Sequence, residues 1–180
     1  MTIQDGLLCK KEITNRLYKD VLELLSKIEI KEQTNSTNDD AKESLNNSSH
    51  LLSAHFAEQQ TAGRGRNSRK WISPFGQNIY LSLAWQSNLS FADIEGLSLA
   101  IGVEIAESLK NNTDEVIEIK WPNDLLINQK KLGGVLIETS SGKKDNLEII
   151  IGIGINVFMK NEDATKINQD WTSLENYKNR

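Results

Sequence analysis

The sequence predicts an α+β domain in which helices flank a mixed β-sheet. Apolar residues recur at helical spacing mostly in the first 110 residues, and they alternate with period two afterwards. Helix and strand patterns do not alternate regularly, as they would in a doubly wound parallel sheet. A length of 180 residues suits one domain, without repeats or a linker.

Three helices are predicted. The first covers residues 10–27 and places on one face the apolar side chains of Ile13, Leu17, Val21 and Leu24. The second follows residues 36–38, whose sequence STN offers several N-cap residues. The third begins at a capping box formed by Ser90 and Asp93 and runs to about Lys110.

Seven strands are predicted from apolar or alternating runs. Their ranges are 28–33, 52–59, 79–85, 116–121, 125–128, 132–139 and 147–157. Tight turns are expected at NQKK (128–131) and SSGKKDN (140–146), and a polar loop at NNSSH (46–50). The last 20 residues are polar and show no clear closing element.

Composition restricts the class of function. A net charge of −4 argues against bulk binding to nucleic acid or to an anionic membrane surface. The sequence has no apolar run long enough for a membrane span or a secretion signal. The single cysteine, Cys9, cannot form an intramolecular disulfide, and a reducing cytoplasm is the expected location. No cluster formed by Cys9, His50 and His55 has metal-ligand spacing, and these residues give little support to a Cys–His hydrolase.

A basic loop, GRGRNSRKW at residues 63–71, stands out in this acidic chain. Its arginines offer forked donors for carboxylate or phosphate oxygens, and glycines at 63 and 65 permit positive φ and close approach to a ligand. The loop lacks the Walker A pattern. On its own the loop is better interpreted as a solvated surface loop.

Three further motifs carry candidate chemistry. KWPND (120–124) is either an ordinary turn or a set of groups suited to a purine. KLGG (131–134) places a lysine before two glycines, as an exposed edge charge or as a fixed charge beside a phosphate. GIGIN (152–156) lacks the third glycine of a dinucleotide fingerprint and has strand-like flanks, so a Rossmann site is excluded.

Taken together, the motifs resemble the catalytic domain of biotin–protein ligases. The matching stretches are STN (36–38), QTAGRGRNSRKWISPFGQNIYLSL (60–83), KWPNDLLI (120–127), KLGGVLIE (131–138) and GIGINV (152–157). The resemblance implies the biotin/lipoate protein ligase catalytic fold, which is class II synthetase-like. It also implies an enzyme that activates biotin with ATP and Mg²⁺ as biotinyl-5′-AMP. That enzyme then transfers biotin to a lysine of a biotin carboxyl carrier protein.

The resemblance also implies residue roles. The implied biotin contacts are Ser36, Thr37, Asn38, Gln60, Arg64, Gly65, Arg66 and Lys131. The implied contacts to ATP or the adenylate are Arg69, Trp71, Asn123 and Asn156. Lys131, Arg66 and Asp124 are the expected catalytic residues, with Lys131 stabilising charge and Asp124 orienting it or helping to hold the metal. No motif supplies metal ligands directly, and Mg²⁺ is expected to arrive with ATP.

By the same resemblance, residues 1–27 form a helical segment without a winged-helix DNA-binding domain. Residues 28–180 are expected to form the catalytic domain, and the family's usual C-terminal SH3-like domain is expected to be absent. No nucleic-acid or membrane partner is expected, and a homodimer through sheet edges is possible. Two alternatives stay open: a lipoate–protein ligase or octanoyl transferase, and a non-catalytic biotin-binding or regulatory module.

Overall fold

A single seven-stranded sheet organises the computed structural model, which describes residues 7–47, 52–142 and 146–177. In chain order the strands are β1 (Leu25–Thr34), β2 (Leu52–Gln60), β3 (Asn78–Ser87), β4 (Ile117–Lys120), β5 (Asp124–Ile127), β6 (Lys130–Ser141) and β7 (Leu147–Asn156). The strand order across the sheet is β1-β2-β3-β7-β6-β5-β4. β1 and β2 are parallel and all other neighbours are antiparallel, which confirms the predicted mixed sheet.

Helices cover both faces of this sheet, as expected for the α+β class. The helices are α1 (Lys10–Arg16), α2 (Lys19–Leu24), α3 (Thr37–Asn47) and α4 (Leu97–Leu109). Successive side chains of a strand point to opposite faces, so β7 serves both layers. Ile149 and Ile151 belong to the larger core, which packs against α4, whereas Ile150 packs with Ala41 and Leu45 of α3.

The predicted helix over 10–27 is wrong in its continuity and its end. Leu17 and Tyr18 adopt extended backbone angles that separate α1 from α2. Neither short helix buries a residue, so the apolar stripe has no core to hold one long helix. The chain joins the sheet at Leu25, which pairs with Leu52, three residues earlier than predicted.

The third predicted helix begins later than its capping box suggested. Asp93 does accept hydrogen bonds from the Ser90 backbone N–H and hydroxyl, at 2.8 and 2.7 Å. This pair, however, caps a short 3-10 turn at Ala92–Ile94. Gly96, at φ 80°, then redirects the chain, and α4 starts at Leu97.

The predicted turn in NQKK is confirmed as a two-residue hairpin loop. Asn128 and Gln129 have φ of 50° and 65°, and two positive φ values are typical of the type I′ turns that match strand twist. The turn in SSGKKDN lies partly outside the described residues, which omit 143–145. Residues 46 and 47 of NNSSH complete α3, and 48–50 also lie outside the described ranges.

The polar C-terminal region contains a closing element that the sequence did not reveal. Asp170 and Thr172 pair with the start of β6, where the Lys131 N–H donates to Asp170 O at 3.0 Å and the Thr172 N–H to Lys131 O at 2.8 Å. Leu174, two residues after Thr172, is buried in the larger core. Backbone groups form the pairing, so side-chain periodicity gave no signal for it. Within the described ranges, no helix has the length and apolar character to cross a membrane.

Candidate functional site

A cleft of about 680 Å³ opens between the basic loop, the first turn of α3 and the chain around the start of β6 and the end of β7. Every site residue predicted from the sequence lines it, and each motif supplies at least two lining residues. The motifs are far apart in sequence. The fold brings them together because β6 and β7 are neighbours, while β2 ends beside the start of α3.

One end of the cleft is an uncharged set of hydrogen-bonding groups, here called the polar floor: Ser36, Thr37, Asn38, Gln60 and, beneath them, Ser82. All are buried except Gln60, which is partly exposed. The Gln60 side-chain oxygen accepts from the Thr37 N–H at 2.9 Å and from its hydroxyl at 3.2 Å. The Ser82 hydroxyl lies 2.7 Å from Thr37 Oγ1 and 2.6 Å from Asn38 Oδ1. A hydroxyl has one proton, so Ser82 can donate to only one of these two oxygens at a time. The floor therefore keeps acceptor capacity for a neutral ligand with N–H groups.

A glycine in β7 makes room for this floor. A Cβ at Gly152 would overlap the side-chain amide of Asn38. Asn38 is held there because its amide also donates to Glu138 of β6 at 2.6 Å. Gly152 is thus required for close packing of α3 on the sheet, and a dinucleotide motif is not needed to explain it.

The basic loop folds as a small hairpin, here called the basic hairpin (residues 63–71). The Gly65 N–H donates to Arg69 O at 2.8 Å, and the Trp71 N–H to Gly63 O at 2.9 Å. At its tip Asn67 and Ser68 have φ of 55° and 57°, a region that Asn tolerates better than most residues.

The two glycines of the hairpin differ in whether their surroundings leave room for a side chain. A Cβ at Gly63 would lie 2.7 Å from Trp71 O and 2.8 Å from Ser73 Oγ, so close approach demands glycine there. Gly65 has φ of −114°, and a Cβ there would meet nothing closer than 3.7 Å. The expectation of positive φ at these two positions is wrong: the positive angles fall at the hairpin tip.

Arg64 lines the cleft, but its guanidinium is paired with carboxylates of the protein and is not free for a ligand anion. Its guanidinium makes a bidentate contact with Asp39 in the first turn of α3, at 2.9 and 2.7 Å, and lies 3.4 Å from Glu138 Oε2. Hydrogen bonding to Asp39 raises the pKa of Arg64 above its already high ordinary value. Its charge is therefore largely compensated within the protein.

Lys131 lies at the centre of the charged side of the cleft. Its ammonium is 2.7 Å from Asp124 Oδ1 and 5.5 Å from the centroid of the Trp71 ring. The Lys131 side chain is only 15% exposed, so both contacts restrict where its charge can lie. A Cβ at Gly154 would lie 2.7 to 2.9 Å from the Trp71 ring, so Gly154 is the seat of that ring.

Asn123 and Asn156 use their amide N–H groups within the protein. Asn123 donates to Val135 O and Asn156 to Thr172 O, both at 3.0 Å. The two residues brace the backbone around the cleft; each keeps its side-chain oxygen and a second amide N–H for other partners.

The lining of the cleft is strongly cationic. Its basic side chains are Arg64, Arg66, Arg69, Lys70, Lys120, Lys131 and Lys166. Among the described residues that line it, Asp124 alone carries a carboxylate. No group of three or more His, Cys, Asp or Glu side chains in the described ranges could hold a metal ion. The cleft can therefore hold an anion at one end and a neutral polar group at the other.

Sequence reasoning missed several lining or supporting residues. Ser82 and Glu138 support the floor from inside strands, and residues 166–169 and Trp171 line the cleft from the C-terminal segment. A polar residue inside an apolar strand, such as Ser82 between Leu81 and Leu83, is a usable signal. No comparable signal marked the C-terminal segment.

The other reactive side chains lie elsewhere. His55 is buried under α3 and does not line the cleft, with Nδ1 3.2 Å from Glu29 Oε2 and Nε2 3.1 Å from Ser44 and Ser53. Burial lowers the pKa of His55. Cys9 is exposed near the N-terminus, and His50 lies outside the described residues.

Sequence comparison places residues 30–156 in a match to the biotin/lipoate A/B protein ligase family. The chain is 44% identical over 122 residues to the bifunctional ligase/repressor BirA of Escherichia coli, covering 68% of this chain and 38% of that protein. It is 32% identical over 136 residues to the biotin–[acetyl-CoA-carboxylase] ligase of Paracoccus denitrificans, covering 69% of this chain and 52% of that protein. The chain thus spans about half or less of the length of these curated relatives.

Solved structures agree with the sequence matches. The biotin protein ligase of Leishmania major in complex with biotin superposes with a TM-score of 0.70 at 29% identity, over 83% of this chain and 63% of that one. The biotin protein ligase of Aquifex aeolicus in complex with biotin and ATP gives 0.63 at 35% identity, over 84% and 60%.

Proposed function

Because the chain belongs to the biotin/lipoate A/B protein ligase family, we propose that it activates biotin with ATP and transfers it to a protein lysine. The observation that carries this proposal is the pairing of a buried neutral floor with a cationic rim in one cleft. Biotin has a neutral ureido ring at one end and a carboxylate at the other. The cleft has matching chemistry at its two ends.

In the first step, a biotin carboxylate oxygen attacks the α-phosphorus of ATP. The bond between that phosphorus and the bridging oxygen breaks, and pyrophosphate leaves. Two anions must approach each other, so the reaction needs fixed positive charge at the point of attack. Lys131 supplies this charge, and Asp124 orients its ammonium through the 2.7 Å contact.

The other site residues have binding roles in this proposal. The ureido ring is held by the floor residues Ser36, Thr37, Asn38 and Gln60. Phosphate oxygens are bound from the hairpin by Arg66 and Arg69.

The rest of the site positions the nucleotide and the hairpin. Gly65 brings the hairpin backbone close to the ligand, and Arg64 secures the hairpin. Trp71 covers the adenine, while Asn123 and Asn156 present their side-chain oxygens to its polar edge. Water is kept from the mixed anhydride as long as the hairpin covers it.

Mg²⁺ would be held chiefly by the ATP phosphates, as is common for this ion. Asp124 is the carboxylate of the described lining that could add a protein ligand. The ion would neutralise the charge of the departing pyrophosphate.

In the second step, the amine of the acceptor lysine attacks the acyl carbon, AMP leaves, and the amine loses a proton. We assign the acceptor to a biotin carboxyl carrier protein domain, and residues 28–180 to the catalytic unit that serves it. A cytoplasmic location fits the need for ATP. A homodimer through the β1 or β4 edge of the sheet is part of the same proposal.

The test is to incubate the protein with biotin, MgATP and a carrier domain, and to measure pyrophosphate release and intact mass of the carrier. We expect pyrophosphate release and one added biotinyl group. Biotin binding without pyrophosphate would support a non-catalytic biotin-binding module. Modification by lipoate in place of biotin would support a lipoate–protein ligase.

A further inference from the structure

The carboxylate of Glu138 lies behind the polar floor and contacts it through Asn38. Glu138 is in β6 and does not line the cleft, whereas Asn38 does. The Asn38 amide donates to Glu138 Oε2 at 2.6 Å, and the same oxygen lies 3.4 Å from the Arg64 guanidinium. An ionised carboxylate can only accept hydrogen bonds, and a bond to a charged acceptor is about twice as strong as a neutral one. Glu138 therefore holds the Asn38 side chain with its NH2 group toward the carboxylate.

This orientation of Asn38 fixes the direction of the next hydrogen bond. With its NH2 group turned to Glu138, Asn38 presents its carbonyl oxygen to Ser82, whose hydroxyl donates to it at 2.6 Å. Ser82 is fully buried in β3 and has a single proton, so none remains for Thr37 Oγ1, 2.7 Å away. The order of donors and acceptors thus runs from the charge of Glu138 through two neutral side chains.

Thr37 ends this series of groups and lines the cleft. Its own proton has acceptors inside the protein: Gln60 Oε1 at 3.2 Å and, once Ser82 donates to Asn38, Ser82 Oγ at 2.7 Å. Because that proton is used inside the protein, the lone pairs of Thr37 Oγ1 are left for a ligand donor. If the Asn38 amide were reversed, its NH2 group would donate to Ser82, the Ser82 proton would turn to Thr37, and this acceptor capacity would fall.

We propose that Glu138 is a positioning residue that makes Thr37 a hydrogen-bond acceptor toward the cleft and so selects ligands with an N–H group there. The ligand class is a neutral cyclic urea or amide. A ring oxygen at the same place would face the Thr37 oxygen and would be rejected. The selectivity rests on the proposed function, since the ureido ring of biotin carries two N–H groups. The orientation of the Asn38 amide does not rest on it.

Hydrogen exchange of the Asn38 side-chain amide, measured by NMR in the ligand-free protein, tests the first step. Glu138→Ala removes the charged acceptor and should speed this exchange by about tenfold. The resonance is assigned by its loss in Asn38→Ala. Glu148→Ala is the matched control, because Glu148 lies in the neighbouring strand β7, accepts from Ser140 and Gln86, and does not line the cleft.

The selectivity is tested by isothermal titration with biotin and with its two cyclic carbamate analogues, in each of which one ring N–H is replaced by oxygen. The wild-type protein should prefer biotin over the analogue altered at the Thr37 contact by about 100-fold. Glu138→Ala should reduce this preference by about tenfold, and Glu138→Gln, which keeps an acceptor without the charge, should reduce it less. Thr37→Val identifies the analogue concerned, because the preference over that analogue is lost. In the Thr37→Val background, Glu138→Ala should not change the preference further.

A merely structural role of Glu138, or one exerted through Arg64, would weaken the binding of biotin and of the analogue by the same factor and leave the preference unchanged. That result would overturn the proposal. Unchanged exchange at Asn38 in Glu138→Ala, or an equal increase in Glu148→Ala, would also overturn it. If the wild-type protein binds no biotin while the exchange at Asn38 responds only to Glu138→Ala, the proposed function fails and the orientation of Asn38 by Glu138 stands.

Discussion

The two ends of the cleft differ in how they are built. The polar floor is buried, neutral and hydrogen-bonded to the sheet and α3, with Ser36, Thr37 and Asn38 each no more than 5% exposed. The charged end consists of the basic hairpin and Lys131, and most of its cations have no protein counter-charge among the described residues. The groups of the floor thus hold one another in place by hydrogen bonds, whereas an anion could supply the counter-charge that most cations of the charged end lack. The groups suited to a neutral ligand and those suited to an anion are therefore separated in this cleft.

The largest effect is expected when the charged end loses Lys131. Lys131→Ala should reduce the rate of adenylate formation by about 100- to 1,000-fold, because the fixed charge at the point of attack is removed. Pyrophosphate release in the presence of biotin and MgATP measures the effect. Biotin affinity should fall much less, since the floor is intact.

Lys130→Ala is the matched control for that variant. Lys130 is the preceding residue, is exposed and does not line the cleft. Equal rates in Lys131→Ala and the wild-type protein would remove Lys131 from its catalytic role.

The next effect concerns the floor. Gly152→Ala should displace the Asn38 amide and lower biotin affinity by about 10- to 50-fold, with a loss of about 1–3 kcal/mol in stability. Isothermal titration with biotin and urea unfolding measure the two quantities. Gly102→Ala in α4 is the control, since its Cβ would meet Ile119 at an ordinary 3.6 Å. Wild-type biotin affinity in Gly152→Ala would show that the position of Asn38 does not matter.

A smaller effect is expected from the hairpin. Arg66→Ala should speed the release of biotinyl-AMP by about tenfold, because one charged hydrogen bond to phosphate is lost. Retention of the adenylate after gel filtration measures it. Arg16→Ala, at the end of α1 and outside the cleft lining, should behave as wild type. Unchanged retention in Arg66→Ala would argue against a covering role for the hairpin.

The smallest expected effect is that of pH, which should change the stability of the protein through His55 and leave the cleft unchanged. The pKa of His55 is lowered by burial, so the unfolded chain binds a proton more readily than the folded one. The free energy of unfolding should therefore be unaffected by His55 above its ordinary pKa of 6.5. It should fall below that pH, by up to about 1.4 kcal/mol per unit, until the folded pKa is reached.

Urea unfolding at several pH values between about 7.5 and 5.5 measures this slope. The groups around the ring are Glu29, Lys27, Asp40, Ser44 and Ser53. His55→Gln should flatten the slope. Biotin affinity should stay constant over the same range, because the floor contains no group that titrates there. A fall in biotin affinity parallel to the fall in stability would show that the protonation of His55 affects the floor.

Sequence reasoning located the cleft residues better than it located element boundaries. The motifs carry the site because glycine, arginine and lysine at fixed spacing reflect local demands, such as the close approach at Gly63. The helix over 10–27 failed because an apolar stripe does not reveal whether a core exists to bury it. Gly96 shows a similar limit, since one positive φ moved the start of α4 past a genuine capping pair.

Other features depend on contacts between distant parts of the chain. The orientation of Arg64 is set by Asp39 and Glu138, which are 25 and 74 residues away in sequence. The closing segment pairs through backbone atoms that every sequence has. Neither feature can be inferred from local pattern alone.

Two glycines of β7 set the distance between two sides of the cleft. Gly152 receives Asn38 and Gly154 receives Trp71, and both lie on the same face of one strand. A strand advances by about 3.4 Å per residue, so the two glycines are separated by about 7 Å. Inserting a single residue between the two glycines would therefore turn one of them to the opposite face of the sheet, and its packing partner would lose its place. The spacing of these two glycines therefore sets the distance between the Asn38 side and the Trp71 side of the cleft.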